Sequence, residues 1–201
     1  MRKFFKSDWF KCITVLLVLS AVLGGLLAFL SDLLFVSPSE RSLRAIKKIY
    51  GEEKEYLTII DVDGENANAP IEYSFGQINK IYLVGDDQSA SYDLLFQTTG
   101  YQGYKNGTIT VWVKVSAVNG IYSIDKVILE SYAKQTLMSK LDGKYFGAFT
   151  LSDVTEAYKS GQNFVTEQGK PLSNPVSGAT YSATAGNNAV NCVIKYLGEL
   201  N

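Results

Sequence analysis

Six residues near the carboxyl end, Ser177-Gly178-Ala179-Thr180-Tyr181-Ser182, place small side chains and hydroxyls directly ahead of an apolar-periodic stretch. A small-residue loop opening into a helix offers unpaired backbone N–H groups and the positive end of the helix dipole, both suited to a phosphate. Gly178 and Ala179 leave room for a bulky group to approach the backbone, and Thr180 and Ser182 supply hydroxyls. The same residue types also serve a plainer role, because Ser and Thr cap helices through local hydrogen bonds. Local physics leaves both readings open.

Other chemistry is thinly supplied. The 201-residue chain contains no His, which removes Ser-His-Asp and Cys-His catalysis and the commonest zinc and copper ligand. Cys12 and Cys192 lie at opposite ends of the chain, so neither a disulfide nor an oxidising compartment can be argued from them. A net charge of −1 gives no electrostatic footprint for nucleic acid. The length suits one compact domain plus one accessory segment.

The elements that must position the loop read as strands followed by helices. Tyr56–Val62, Gln77–Val84 and Tyr92–Thr98 are expected strands. Thr108–Val118 alternates apolar and polar residues through Ile109, Val111, Val113 and Val115, and Ile121–Leu129 pairs back onto it. Asn106-Gly107 and Asn119-Gly120 are tight-turn dipeptides at the two ends of that central strand. Asn106-Gly107-Thr108 also matches a glycosylation sequon, which a hairpin turn explains more simply. Beyond Glu130, Leu137, Leu141, Tyr145 and Phe146 follow helical spacing, and a short helix is expected to start near Asp153. Gly161 to Pro175 reads as a loop. The last helix carries Ala185, Ala189, Cys192, Val193, Tyr196 and Leu200 on one stripe. The expected fold is α+β: an antiparallel β-meander with flanking helices.

The motif and its setting resemble the FMN-binding domain family. Ser177-Gly178-Ala179-Thr180 matches the family's SGAT core. Ile78 to Tyr82, Gly100-Tyr101-Gln102-Gly103-Tyr104 and the hairpin through Gly120 follow the family's strand, GYxG and hairpin in the same order. About residues 78–197 are covered. The family includes the G subunit of the Rnf-type ion-translocating ferredoxin:NAD oxidoreductase and the C subunit of the sodium-pumping quinone reductase; in length this chain is closer to the former. The resemblance implies FMN joined to Thr180 by a phosphoester, installed by a flavin transferase, with Ser177, Gly178, Ala179 and Ser182 around it. Gln135-Thr136-Leu137-Met138-Ser139-Lys140 is similar to a family segment that lies against the flavin, which adds Thr136 and Leu137 to the cofactor site. Two departures stand out. The acidic residue usual six positions before the threonine is Asn174 here, and the acidic residue, proline and glycines of the flavin-side segment are replaced, the first by Gln135. Tyr101, Tyr104, Tyr132 and Tyr181 are candidates for stacking on the flavin, although for any one of thirteen tyrosines packing is the commoner role. A tethered flavin carries its own redox chemistry, so no catalytic residue and no metal are expected, and the chain reads as an electron-transfer subunit rather than an enzyme by itself.

Cys12 to Ser31 runs uncharged for a length that, as a helix, spans about 30 Å, roughly the bilayer hydrocarbon thickness. A cleaved signal has a shorter apolar run, so a retained anchor is expected. Arg2, Lys3, Lys6 and Lys11 precede it and Asp32 and Glu40 follow it, favouring the amino terminus inside and the domain outside the cell membrane. Arg41, Arg44, Lys47 and Lys48 pull the other way. Ser20-x-x-x-Gly24 and Ala21-x-x-x-Gly25 would allow close approach of another spanning helix. The division expected is a cytoplasmic tail (1–11), an anchor (12–36), a linker helix (37–52) capped at Ser39 with Leu43, Ile46 and Ile49 on one face, and an FMN-binding domain (53–201). Three functions follow: an electron-transfer subunit of an Rnf-like ion-translocating membrane complex, a stand-alone extracellular flavoprotein, or a membrane-anchored binding module without flavin.

Overall fold

The computed structural model describes residues 8–34, 37–63, 68–85, 91–141, 143–159 and 179–200. Two compact units result, Met1–Arg41 and Ser42–Asn201. The first is dominated by helix α1 (Asp8–Leu34), whose stretch Lys11–Leu30 is long and apolar enough to cross a membrane. The apolar side chains of Lys11–Leu30 are exposed, as a lipid-facing or signal helix requires.

The second unit is built on a six-stranded antiparallel sheet. Strands β1 (Tyr56–Asp61), β3 (Gly76–Val84), β4 (Ser91–Gly100), β5 (Thr108–Val118) and β6 (Ile121–Ala133) lie side by side in that order, and the short β2 (Ile71–Tyr73) pairs with the start of β3. The fold class is α+β with an antiparallel meander, as the pattern predicts. Ile109, Val111, Val113 and Val115 are all fully buried on one face, which is what alternation along β5 implies. Asn119 and Gly120 both take left-handed φ, forming the tight turn into β6.

Helix α5 (Thr180–Glu199) covers that face. Ala185, Ala189, Cys192 and Val193 of the predicted stripe are buried, but Leu200 is exposed at the helix end. Burial also pushes the Cys192 thiol up to about 12. The opposite face is covered by helix α2 (Pro38–Tyr50), whose Ala45, Ile46 and Ile49 pack on Tyr82, Leu95 and Trp112. From Ser42 onward the expected linker helix is therefore a layer of the domain. Its buried stripe includes Ser42 and Ala45 while Leu43 is exposed. Its cap is Ser37, whose Oγ accepts from the Glu40 amide at 3.2 Å, with Pro38 and not Ser39 opening the helix.

Two further expectations change. In the turn that leads directly into β5 the adjacent left-handed residues are Lys105 and Asn106, not Asn106 and Gly107. And no single helix spans 137–146: β6 extends to Ala133, a 3₁₀ turn covers Met138–Lys140, and helix α3 occupies only Gly143–Gly147. Leu141, Tyr145 and Phe146 are buried regardless, so their spacing reflects burial against α5 and not helical continuity. Helix α4 (Val154–Lys159) begins as expected at Asp153, whose Oδ1 accepts from the Glu156 amide at 2.9 Å.

Candidate functional site

The site forms where the first turn of α5 meets the loop between β4 and β5 and the end of β6. Its position along the sheet is set by Gly100. A Cβ there would collide with the Ala185 carbonyl and the Ala189 amide, so α5 lies backbone-to-backbone on β4. Asn188 Nδ2 donates to the Tyr101 carbonyl at 3.0 Å, and Tyr145 Oη, its ionisation suppressed by burial, reaches the Ala183 carbonyl at 3.0 Å.

Among the described residues, no side chain caps the start of the helix. Ala179 is the N-cap residue, and its carbonyl accepts the first helical hydrogen bond from Ala183. Neither Thr184 nor Ser182 substitutes for a cap. Thr184 Oγ1 donates back to the Thr180 carbonyl at 3.0 Å, and Ser182 Oγ donates to Gln135 Oε1 at 2.6 Å. Thr180 itself is exposed at the first helical position. The plain capping role is thus not how Ser182 is used.

Gln135 is buried and joins three segments. Its Oε1 also accepts from the Tyr104 amide at 3.3 Å, and its Nε2 donates to the Ala133 carbonyl at 3.2 Å. Gly103 and Gly107 are both required for its fit, since a Cβ on either would strike the Gln135 amide nitrogen. The left-handed turn at Lys105 and Asn106 then returns the chain to β5, with the Gly103 amide donating to the Gly107 carbonyl at 3.0 Å.

These contacts enclose a cavity of about 300 Å³ lined by Tyr104, Thr136, Leu137, Ala179, Tyr181 and Ser182. That is the small end of ligand pockets, about 300–1,000 Å³. Among the described residues no charged side chain lines it, and Tyr104, Leu137 and Tyr181 keep exposed surface. Lys105 Nζ lies 5.4 Å from the centre of the Tyr104 ring. Of the residues singled out in the sequence, Thr136, Leu137, Ala179 and Ser182 come together here, with Thr180 between two lining residues. Ser177, Gly178 and Asn174 lie outside the described residues. Of the candidate tyrosines, Tyr104 and Tyr181 line the cavity. Tyr101 turns its hydroxyl to Gln77, and Tyr132 is exposed on β6. Gln135 was visible in the sequence only as a departure from a motif; nothing local marks it as the joint of the site.

Chemically, the described residues pair a helix start that none of them caps with an aromatic-walled recess that none of them charges, beside an exposed hydroxyl. It suits a ligand with an anionic end and a flat, largely apolar body. Comparison with protein-family models, curated proteins and solved structures finds no match to this chain.

Proposed function

We propose that the domain carries FMN esterified to Thr180 and relays electrons as the flavoprotein subunit of an Rnf-like, redox-driven ion-translocating membrane complex. The observation that carries the reading is the convergence of Thr136, Leu137, Ala179 and Ser182 on one cavity beside the exposed Thr180. These residues are far apart in sequence, and the SGAT motif alone does not require that they meet.

The residues fit the group. The Thr180 hydroxyl oxygen becomes the bridging ester oxygen, and the net change is addition of FMN less one water. The first-turn amides of α5, with no side-chain cap among the described residues, would stabilise the charge of a phosphodiester held there. Tyr104, Leu137 and Tyr181 offer apolar and aromatic surface for a ring system and shield it from water. FMN, when bound, supplies one- and two-electron redox chemistry, so the chain needs no acid, base or nucleophile of its own. A tether keeps the site filled where free flavin is scarce, because occupancy no longer depends on mass action. That condition holds on the outer face of a membrane, the side that the basic residues ahead of the apolar span favour for the domain.

The test is co-expression with a flavin transferase, followed by in-gel flavin fluorescence and intact mass. The wild-type chain should be fluorescent after denaturation and gain one FMN less water, and Thr180→Ala should lose all of it. Flavin on Ser177 or Ser182, or none with an active transferase, would falsify the assignment. Protease added to spheroplasts should digest the domain; a protected domain would place it on the inner face.

A further inference from the structure

We infer that Gln135 is the positioning residue of this site: its side-chain oxygen holds the Tyr104 wall of the cavity and the first turn of α5 in one fixed relation. The inference rests on the proposed function only for what the cavity holds; the mechanical link stands on its own geometry.

Tyr104 and Ser182 line the same cavity but no hydrogen bond between them is seen among the described residues. They are coupled through one atom. Gln135 Oε1 accepts from Ser182 Oγ at 2.6 Å and from the Tyr104 amide at 3.3 Å, while Nε2 is anchored on the Ala133 carbonyl at 3.2 Å. Gln135 is 8% exposed and Ser182 3% exposed, so water cannot readily take either partner's place. Rotation of the amide is blocked as well, because the Tyr104 loop closes on Nε2 through the two glycines that lack a Cβ at Gly103 and Gly107. Lys134 takes a left-handed φ of 57° immediately before Gln135, turning it off the end of β6 and inward. The next two residues, Thr136 and Leu137, are then delivered to the cavity lining. One side chain therefore sets three walls: the Tyr104 loop, the Thr136-Leu137 segment and the start of α5.

The arrangement assigns separate tasks to the two ends of the amide. The oxygen joins the walls, and the nitrogen only fixes its orientation. A carboxylate keeps the joining atom, whereas a thioether of similar length keeps neither end. The same bond also withdraws the Ser182 hydroxyl from the helix start, so Thr180 is the aliphatic hydroxyl left exposed in the described part of the motif.

The experiment compares full-length wild type, Gln135→Met, Gln135→Glu and Ser182→Ala in detergent, without flavin, by amide hydrogen exchange. In Gln135→Met, exchange of the Tyr104 amide should rise on the order of tenfold, which converts to about 1.4 kcal/mol and lies within the range for loss of one hydrogen bond. Ser182→Ala should raise it too, although Ser182 does not bond to Tyr104. Gln135→Glu should return it to within about threefold of wild type. Amides of β5 report whether each variant is folded, and Ser182→Ala carries the test if Gln135→Met fails to fold. Unchanged Tyr104 exchange in Ser182→Ala, or no rescue by Gln135→Glu, overturns the inference. A second arm measures flavin incorporation by a transferase, expected to slow on the order of tenfold in Gln135→Met and to recover in Gln135→Glu. Coupled exchange with no flavin in any protein would sink the proposed function and leave the positioning role standing. Flavin incorporation with uncoupled exchange would do the reverse.

Discussion

The two faces of the sheet are closed by opposite means. On the α5 face, backbone meets backbone at Gly100, and the packed residues are mainly Ala, Val and Ile. On the α2 face, an apolar patch around Trp112 is bordered by buried charge. Lys80, 2% exposed, pairs with Asp61 at 2.9 Å and with Asp63 at 3.3 Å. Tyr82 Oη donates to Asp61 at 2.7 Å, leaving Ser42 of α2 to donate to Tyr82 at 2.8 Å. Farther along, Lys114 bridges Asp93 and Asp125 beneath Tyr50, and Lys126 Nζ caps α2 at the Ile49 carbonyl.

The difference teaches where rigidity is placed. A backbone contact without side chains allows one axial position for α5, and the cavity sits at the end of that helix. Polar tethers hold α2, the helix that follows the apolar span in the chain, through bonds that depend on charge and therefore on pH. The site is built on the face that cannot slide.

Breaking the α5 face should cost most. Gly100→Ala forces a methyl against backbone, which cannot rotate away, so a loss of about 3 kcal/mol is expected, at the upper end for overpacking. Urea unfolding measures it, and a loss under about 1 kcal/mol would mean that α5 has room to shift. On the α2 face, Lys80→Met removes one partner of a buried pair. Full breakage costs about 3–5 kcal/mol, but Asp61 keeps Tyr82 and the Asp63 amide as donors, so about 2 kcal/mol is expected. Adding Asp61→Leu should restore at least half, since the cost lies in the orphaned charge; a further loss would show that the pair itself is stabilising.

Acid should separate the faces. Burial raises the Asp61 pKa, but hydrogen bonds from Lys80, Tyr82 and the Asp63 amide, with the Lys80 charge, outweigh it and leave it lowered. A depressed carboxylate stabilises above its unfolded pKa of about 3.9, and that contribution is lost as pH falls through the folded value. Trp112 fluorescence, read in a Trp9→Phe background, should therefore report loosening of the α2 face below about pH 4 while the amides of α5 keep their protection from hydrogen exchange. Simultaneous loosening of both would mean that the faces are one cooperative unit. The smallest effect belongs to neither face. Asn119→Ala, at a left-handed φ of 52°, should cost about 1 kcal/mol and Asn119→Gly almost nothing, by thermal melting.

Much of the frame was legible in the residues themselves. Alternation through Ile109–Val115 and the Asn119-Gly120 turn specify a hairpin whose inner face is apolar, and the stripe from Ala185 to Val193 specifies what covers it. These are local patterns, readable because a period of two or 3.6 residues reports directly which side is buried. The Thr180 loop was legible for the same reason, as small residues ahead of a helix. What escaped is what depends on partners distant in sequence. The spacing of Leu137, Leu141, Tyr145 and Phe146 reads as a helix, yet burial alone produces it. Lys80 sits inside an apolar strand, and only the arrival of Asp61 from β1 makes that tolerable. The linker helix proves to be a layer because Tyr82, Leu95 and Trp112 present a second apolar patch on the far face. Gln135 and Ser182, 47 positions apart, are ordinary polar residues until tertiary structure buries both and leaves each the other's partner. Burial of a stripe is written locally in the sequence, whereas satisfaction of a buried polar group is settled only when the chain has closed around it.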